Sequence, residues 1–197
     1  MSALYYAPKY KNNIINLLLE NEMFRELLNP SAPVYEDLTV FDVLIGGSWI
    51  IDGVKYEEQG YVFDYIFVDD TTTDEKTFVL VEAFNGKVVN NMFIDFDLYI
   101  YICSNKKLVR LSSITTPSVE ELTQSGYYAT TIANRVDTLC DCVDRIINGN
   151  SNICGIGNVE PYPSNFVVPY VPNNKFYGKC LRYHITNYND GGDACEN

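Results

Sequence analysis

Residues 92–102, MFIDFDLYIYI, alternate between two kinds of side chain without a break. One set of alternate positions is uniformly apolar and consists of Met92, Ile94, Phe96, Leu98, Ile100 and Ile102. The other set includes two tyrosines and the carboxylates Asp95 and Asp97. Because successive side chains of a strand point to opposite faces of a sheet, the pattern predicts a long strand with one face in the core. The face that carries the carboxylates is expected to meet water or a polar partner.

Further strands are predicted on both sides of this one. Residues 61–68 and 77–84 are rich in aromatic and β-branched residues and flank a polar turn, and residues 175–186 have the same character. A shorter strand is expected near 156–160 or 165–168. The chain therefore supplies enough strands for one sheet.

Two amphipathic helices accompany the strands. Residues 10–28 carry one apolar face and end at Asn29–Pro30, and residues 128–148 carry apolar side chains at three- and four-residue steps before Gly149. The order of these elements predicts an α+β fold. We expect a mixed or mainly antiparallel sheet with two helices packed on one face, plus long inserted loops.

The 197 residues are expected to form a single α+β domain, 1–197. An insertion near 46–58 follows a short predicted strand, begins with a glycine pair and holds the only tryptophan, which predicts a hairpin or an exposed loop. A second insertion near 105–126 is long and polar. The tail, 188–197, is polar and expected to be loose.

The charge balance narrows the possible partners. Acidic residues outnumber basic ones 26 to 14, giving a net charge of −12, which argues against a free nucleic-acid binder because such a protein needs a basic face. The N-terminus lacks the apolar core of a signal peptide, and no apolar run reaches membrane-spanning length. We expect a protein made in a cytosol, with no membrane partner.

The cysteines predict buried thiols rather than a metal or redox site. Cys140 and Cys142 lie one residue apart on the second helix, so they point in directions roughly 200° apart and cannot both bind one ion. Cys154 and His184 offer further ligands in principle, but no second closely spaced cysteine pair accompanies them. No metal and no cofactor are predicted.

Patterns typical of enzymes are weak. His184 is the only histidine, so any Ser/His or Cys/His mechanism must use it. Gly155 and Gly157 follow a helix instead of preceding one, which favours a turn over a phosphate-binding loop.

A restriction-type metal nuclease is the nearest enzymatic pattern. Such enzymes place a lysine two residues after their second carboxylate, where this chain has Phe84, and Lys87 lies too far along. The acidic candidates are Asp64, Asp69, Asp70 and Glu82. The sequence therefore favours a protein without enzymatic activity and leaves the nuclease as an alternative.

The C-terminal third resembles small virion proteins that tailed bacteriophages and prophages use in head–tail joining: neck-ring, tail-completion and tail-terminator proteins. The likeness lies in the order and spacing of a few motifs over residues 92–105 and 132–189. These motifs are Arg135-Val-Asp137 at a helix start, Asn148-Gly149 at its end, Gly155-Ile-Gly157 with Glu160, and Phe176-Tyr-Gly178-Lys-Cys-Leu-Arg-Tyr183 before Asn187-Tyr-Asn189. The insertions at 46–58 and 105–126 depart from the family pattern.

The resemblance implies a homo-oligomeric ring of six or twelve copies at the head–tail junction of the virion. Its neighbours would be portal, neck or tail proteins, and double-stranded DNA would pass through it without specific binding. Arg135, Asp137, Gly149, Gly155 and Gly157 would then be structural turn residues.

The resemblance also directs attention to two candidate surfaces. Asp95 and Asp97 are candidate acidic residues of the lumen, with a solvated face that aids solubility as the alternative. The candidate assembly contacts are Trp49, Ile50, Ile51, Lys106, Lys107 and Arg110. For the apolar Trp49–Ile51 stretch, plain core is the alternative.

Two other functional classes stay open at this point. One is the metal-dependent nuclease, in which Asp64, Asp70, Glu82 and Lys87 would act. The other is a host-directed interaction module that binds a single partner through the loop around Trp49.

Overall fold

The computed structural model describes residues 6–28, 39–58, 60–66, 75–90, 93–111, 134–148 and 158–188. Its helices are α1 (Tyr6–Glu20), α2 (Glu22–Leu28), α3 (Val40–Ile45) and α4 (Arg135–Asn148). Its strands are β1 (Gly47–Ile51), β2 (Val54–Glu58), β3 (Val62–Phe63), β4 (Thr77–Asn90), β5 (Phe93–Asn105), β6 (Asn158–Pro161), β7 (Val167–Tyr170) and β8 (Phe176–Tyr188).

The strands form two sheets. β1 and β2 pair with each other, while the main sheet has the order β3-β4-β5-β8-β6, with β7 also paired to β8. Among the described strands only β3 and β4 run parallel. The predicted α+β fold with a mixed, mainly antiparallel sheet is therefore confirmed.

β5 lies at the centre of the main sheet, and it has one face in the core as its period-two pattern predicts. Phe96 and Leu98 are fully buried on one face, which we call the inner face, whereas Asp95 and Asp97 lie on the opposite, outer face and stay partly accessible. The inner face packs against α1 and α4, and α2 packs on α4. The ring of Tyr10 in α1 meets Phe96 edge-on, with ring centroids 4.9 Å apart.

The first helical segment is divided at Asn21, so the prediction of one continuous helix over residues 10–28 is wrong. The Asn21 side chain accepts a hydrogen bond from the Phe24 N–H at 3.0 Å, which makes it the cap of α2. The Arg25 guanidinium donates to the carbonyl oxygens of Leu19 at 2.6 Å and Glu20 at 3.0 Å, so it satisfies the end of α1. Capping on both sides of Asn21 stabilises the break.

α4 confirms the predicted second helix, although it starts at Arg135. Asn134 caps it, because its side-chain oxygen accepts from the Val136 N–H at 2.9 Å. The predicted start near Tyr128 lies outside the described residues. No helix in the described ranges is long and apolar enough to cross a membrane.

β3 is much shorter than the strand predicted over residues 61–68, which was placed before a polar turn and the strand at 77–84. It spans two residues and runs parallel to β4, with Val62 opposite Val79 and Phe63 opposite Leu80. A parallel pair cannot be joined by a tight turn, so sequence proximity misled the prediction. The turn residues 67–74 lie outside the described ranges.

The short strand predicted before Gly46 is a helix, α3. Thr39 caps it through a capping box, since Thr39 Oγ1 accepts from the Asp42 N–H and the Asp42 carboxylate accepts from the Thr39 N–H. The hairpin predicted after it is confirmed. Asp52 and Gly53 both have positive φ, 51° and 79°, which suits the tight turn between β1 and β2.

β6 and β7 lie end to end along the same edge of β8, so both alternative strands predicted near 156–160 and 165–168 exist. Residues 162–166 form a loop between them. The loop closes on Arg182, whose carbonyl accepts from the Tyr162 N–H at 3.0 Å and whose N–H donates to the Phe166 carbonyl at 2.9 Å. One residue of β8 therefore holds both ends of the loop.

Candidate functional site

α3 and the β1–β2 hairpin expose four large apolar side chains. Ile50 is 77% exposed, Val54 52% and Ile45 51%, and Phe41 beside them is 38% exposed. We call these four residues the hairpin patch, and within the hairpin the register places Ile50 and Val54 on opposite faces, because Ile50 pairs with Lys55 and Val54 with Ile51. Large apolar side chains this exposed are candidates for contact with another protein chain.

The predicted contact residues Trp49, Ile50 and Ile51 all belong to this hairpin, and none of them is core. Ile50 is exposed, while Trp49 and Ile51 are half-buried. Trp49 lies opposite Tyr56 and covers Gly47, where an added Cβ would sit 3.0 Å from the indole ring. The indole thus packs within the hairpin and leaves Ile50 on the opposite face.

The base of the hairpin is attached to the main sheet. The Tyr61 N–H donates to the Leu44 carbonyl at 2.7 Å. Gly60 has φ 82°, and a Cβ there would lie 2.4 Å from the Ile45 carbonyl oxygen, so only glycine fits this close approach. On α3, the hydrogen bonds from Thr39 lower the pKa of Asp42. The patch therefore stands on a fixed base.

A second surface lies on the outer face of the sheet around Asp97. The Tyr162 hydroxyl donates to Asp97 Oδ1, and His184 Nδ1 lies 3.3 Å from the same oxygen. His184 Nε2 lies 3.9 Å from Asp95 Oδ2. The two predicted acidic residues are therefore brought together, and Asp97 already has two partners.

Arg182 completes this surface. Its guanidinium carbon lies 4.6 Å from the centre of the Tyr162 ring and 5.2 Å from that of Tyr99, so the cation is held between two aromatic faces. We call this group the outer-face cluster, and its members are Asp95, Asp97, Tyr99, Tyr162, Arg182 and His184.

Burial and the neighbouring Asp97 raise the pKa of Tyr162, so its hydroxyl stays protonated and can donate. The hydrogen bond from Arg182 to the Tyr99 hydroxyl raises the pKa of Arg182. Tyr162 therefore contacts Asp97 through its hydroxyl and the Arg182 guanidinium through its ring. The cluster fixes the 162–166 loop against the sheet.

Sequence reasoning missed Tyr162 and the role of Arg182. Tyr162 lies 65 positions from Asp97, and only the register of the edge strands brings the two together. The alternation of β8 does place Arg182 and His184 on one face, which was the available signal.

The predicted basic contacts at 105–126 are tied to neighbouring loops. Lys106 donates to the Asn174 carbonyl at 2.7 Å, and Lys107 pairs with Glu75. The Arg110 backbone forms a bridge with Asn134. The rest of this insertion, 112–126, lies outside the described residues.

The predicted turn residues that are described have structural contacts. Arg135 is buried, and its guanidinium donates to the carbonyls of Leu108 at 2.9 Å and Leu27 at 2.6 Å. Burial lowers the pKa of Arg135. Asp137 pairs with Lys179 of β8 at 2.6 Å. Gly149, Gly155 and Gly157 lie outside the described residues.

The cysteines within the described ranges are free and buried: Cys103, Cys140, Cys142 and Cys180. Cys142 Sγ lies 3.9 Å from Asn21 Oδ1, on the side of α4 that faces the other helices. Burial raises the pKa of Cys140 to about 12. Within the described ranges no group of three His, Cys, Asp or Glu side chains is placed to hold a metal ion.

Two of the nuclease candidates, Asp64 and Glu82, are described, and both contact Lys11 of α1. Glu82 pairs with Lys11 of α1 at 3.2 Å, and the carbonyl of Asp64 accepts from the same ammonium at 2.6 Å. Lys11 therefore binds the main-chain carbonyl of Asp64 and not its carboxylate. Asp69 and Asp70 lie outside the described residues.

Comparison with known proteins gives one family match. The family model described as YomW matches residues 3–185, nearly the whole chain. No curated protein and no solved structure matches this chain.

Proposed function

The chain belongs to the YomW family, a phage-associated family, and from this premise we propose that it is a structural virion protein without enzymatic activity. In this proposal it forms a ring in the head–tail connection of a tailed phage, between the portal or connector and the tail. It is made in the cytoplasm of the bacterial host and ends at the head–tail junction of the virion.

The hairpin patch is the observation that carries the proposal. A two-stranded hairpin is marginally stable by itself, and this one forms a sheet separate from the main one. The side chains of Ile50 and Val54 in this hairpin are also exposed to solvent. Burying these side chains against a neighbouring subunit would remove that unfavourable exposure.

In this proposal the hairpin patch makes the contact between neighbouring subunits of the ring. A contact between the hairpin patch of one subunit and a different surface of the next is heterologous, and heterologous contacts close into rings when the rotation allows. Six or twelve copies would match the symmetry of tails and portals. Adjacent neck, portal or tail proteins would meet the remaining loops.

Electrostatics support the passage of DNA without specific binding. The net charge of −12 repels phosphates, so a duplex sliding through the ring would not adhere to it. Asp95 and Asp97 would contribute to an acidic lumen. Both side chains are partly exposed, 18% for Asp95 and 26% for Asp97, and Asp97 also accepts a hydrogen bond from the Tyr162 hydroxyl.

The test is native mass spectrometry of the purified protein, alone and with the portal and neighbouring neck proteins of the same phage. We expect a six- or twelve-fold assembly. A protein that stays monomeric and ignores those partners would overturn the proposal.

A pair of variants locates the contact. Ile50→Asp places a charge in the hairpin patch and should abolish the assembly while leaving the circular dichroism spectrum unchanged. Val171→Asp is the matched control, because Val171 is 58% exposed and lies outside the hairpin patch. Equal assembly of both variants would show that the hairpin is not the contact.

A further inference from the structure

The two edges of the main sheet are protected in different ways. At the β8 edge, β6 and β7 carry Pro161 and Pro169, which lack an N–H, and the 162–166 loop interrupts the line of the edge. Proline and interruptions of this kind prevent a further strand from pairing. The two prolines and the loop therefore block the pairing of a further strand along this edge.

The β4 edge lacks such protection along part of its length. Within the described residues, β3 pairs only with Val79 and Leu80, whereas β4 continues to Asn90. Irregular register begins after Asn85 and bends the strand away from a flat edge. Residues 81–84 are left as a regular stretch that faces no described strand.

An ion pair occupies this stretch. The Glu82 carboxylate accepts a hydrogen bond from the Ala83 N–H at 3.0 Å and from Lys11 Nζ at 3.2 Å. Lys11 also donates to the Asp64 carbonyl at 2.6 Å, just past the end of β3. Both side chains are largely buried, with 15% of Lys11 and 19% of Glu82 exposed.

We propose that Lys11 and Glu82 guard the β4 edge against pairing with the same edge of a second copy of the chain. A strand adding here needs the Ala83 N–H as a donor, and Glu82 already occupies it. Two β4 edges meeting antiparallel would also bring two such ion pairs together and remove the solvent exposure that each pair retains. Charged side chains at an exposed edge are a common protection against this pairing.

The test removes both charges at once, because either single variant leaves a partly buried charge without its partner. Lys11→Met with Glu82→Thr is compared with wild type by sedimentation velocity over increasing concentration. We expect a new dimer in the variant at concentrations at least tenfold lower than any such species in wild type. Amide hydrogen exchange at residues 81–84 should slow when the dimer forms.

The matched control is Lys179→Met with Asp137→Thr, which removes another helix-to-strand ion pair, from a strand whose edge is covered. It should add no new dimer. A Lys11/Glu82 variant that keeps its circular dichroism spectrum and associates no more than wild type overturns the proposal. So does a dimer without slowed exchange at residues 81–84.

This inference is independent of the proposed ring. The readout is the difference between variant and wild type at one strand edge, whether or not the wild type assembles. If native mass spectrometry finds no ring, the result of the edge test still stands. If the edge test finds no new dimer, the ring proposal still stands.

Discussion

The Arg135 guanidinium donates a hydrogen bond to the carbonyl oxygen of Leu27 at 2.6 Å, across 108 positions of sequence. It joins the start of α4 to the end of α2, where the helix dipole favours a cation. A second bond at 2.9 Å reaches the Leu108 carbonyl, in the turn that follows β5. One buried side chain thus fastens three segments that the sequence keeps far apart.

Arg135→Met should destabilise the protein by roughly 2 to 6 kcal/mol, because two carbonyls lose their partner and each such loss costs about 1 to 3 kcal/mol. Urea unfolding followed by circular dichroism measures the change. Arg145→Met is the control, since Arg145 forms an exposed pair with Asp141 and such pairs contribute about 0.5 kcal/mol or less. Equal stability of the two variants would show that the Arg135 contacts are dispensable.

Tyr170→Phe should leave stability unchanged or raise it by about 1 kcal/mol. The Tyr170 hydroxyl is buried and has no hydrogen-bond partner among the residues that the structure describes, so its removal ends a desolvation cost. Tyr183→Phe is the matched variant, because the Tyr183 hydroxyl donates to Asp144 at 3.0 Å, and it should lose about 1 kcal/mol. Thermal unfolding of both variants measures these changes. A loss of stability in Tyr170→Phe would show that the Tyr170 hydroxyl has a hydrogen-bond partner.

The sequence predicts the parts of the fold that depend on local periodicity. The alternation over residues 92–102 identifies β5 and its buried face, and the apolar stripe identifies α4. At residues 40–45 the β-branched content favoured a strand, whereas the capping box at Thr39 produces a helix. The residues of the capping box are visible in the sequence, but the strand propensity of the segment led to the prediction of a strand.

Contacts between distant segments could not be predicted from the sequence. Nothing local places Tyr162 on Asp97 or Lys11 on Glu82, because each contact depends on strand register and helix docking. The parallel β3–β4 pair has the same origin. The hairpin around Trp49 was predictable from its turn residues, whereas the exposure of Ile50 required the packing of the whole hairpin.

The four buried cysteines should react slowly with a thiol reagent in the folded protein. Burial raises the pKa of Cys103 and of Cys180 to about 12, so neither forms appreciable thiolate near neutral pH. In a Cys154→Ser, Cys195→Ser variant, the remaining four thiols should be released only on adding denaturant. Rapid reaction of any of them under native conditions would contradict the burial described here.

Asp144→Asn should stabilise the protein near neutral pH, and the gain should disappear in acid. Burial raises the pKa of Asp144 in the folded state, although the hydrogen bond from Tyr183 opposes the shift. A carboxyl whose folded pKa lies above its unfolded value binds its proton more tightly when folded. Its contribution to stability therefore falls as pH rises from the unfolded pKa through the folded one.

Above that window the charged Asp144 lowers the stability of the wild type, and the neutral amide removes this penalty while its oxygen still accepts from Tyr183. Below the window the wild-type carboxyl is protonated in both states, so the two proteins should converge. Urea unfolding at a series of pH values from 3 to 7 measures the difference. Asp141→Asn, on the exposed side of the same helix, is the control, and a gain for Asp144→Asn that stays constant down to acid pH would contradict the raised pKa.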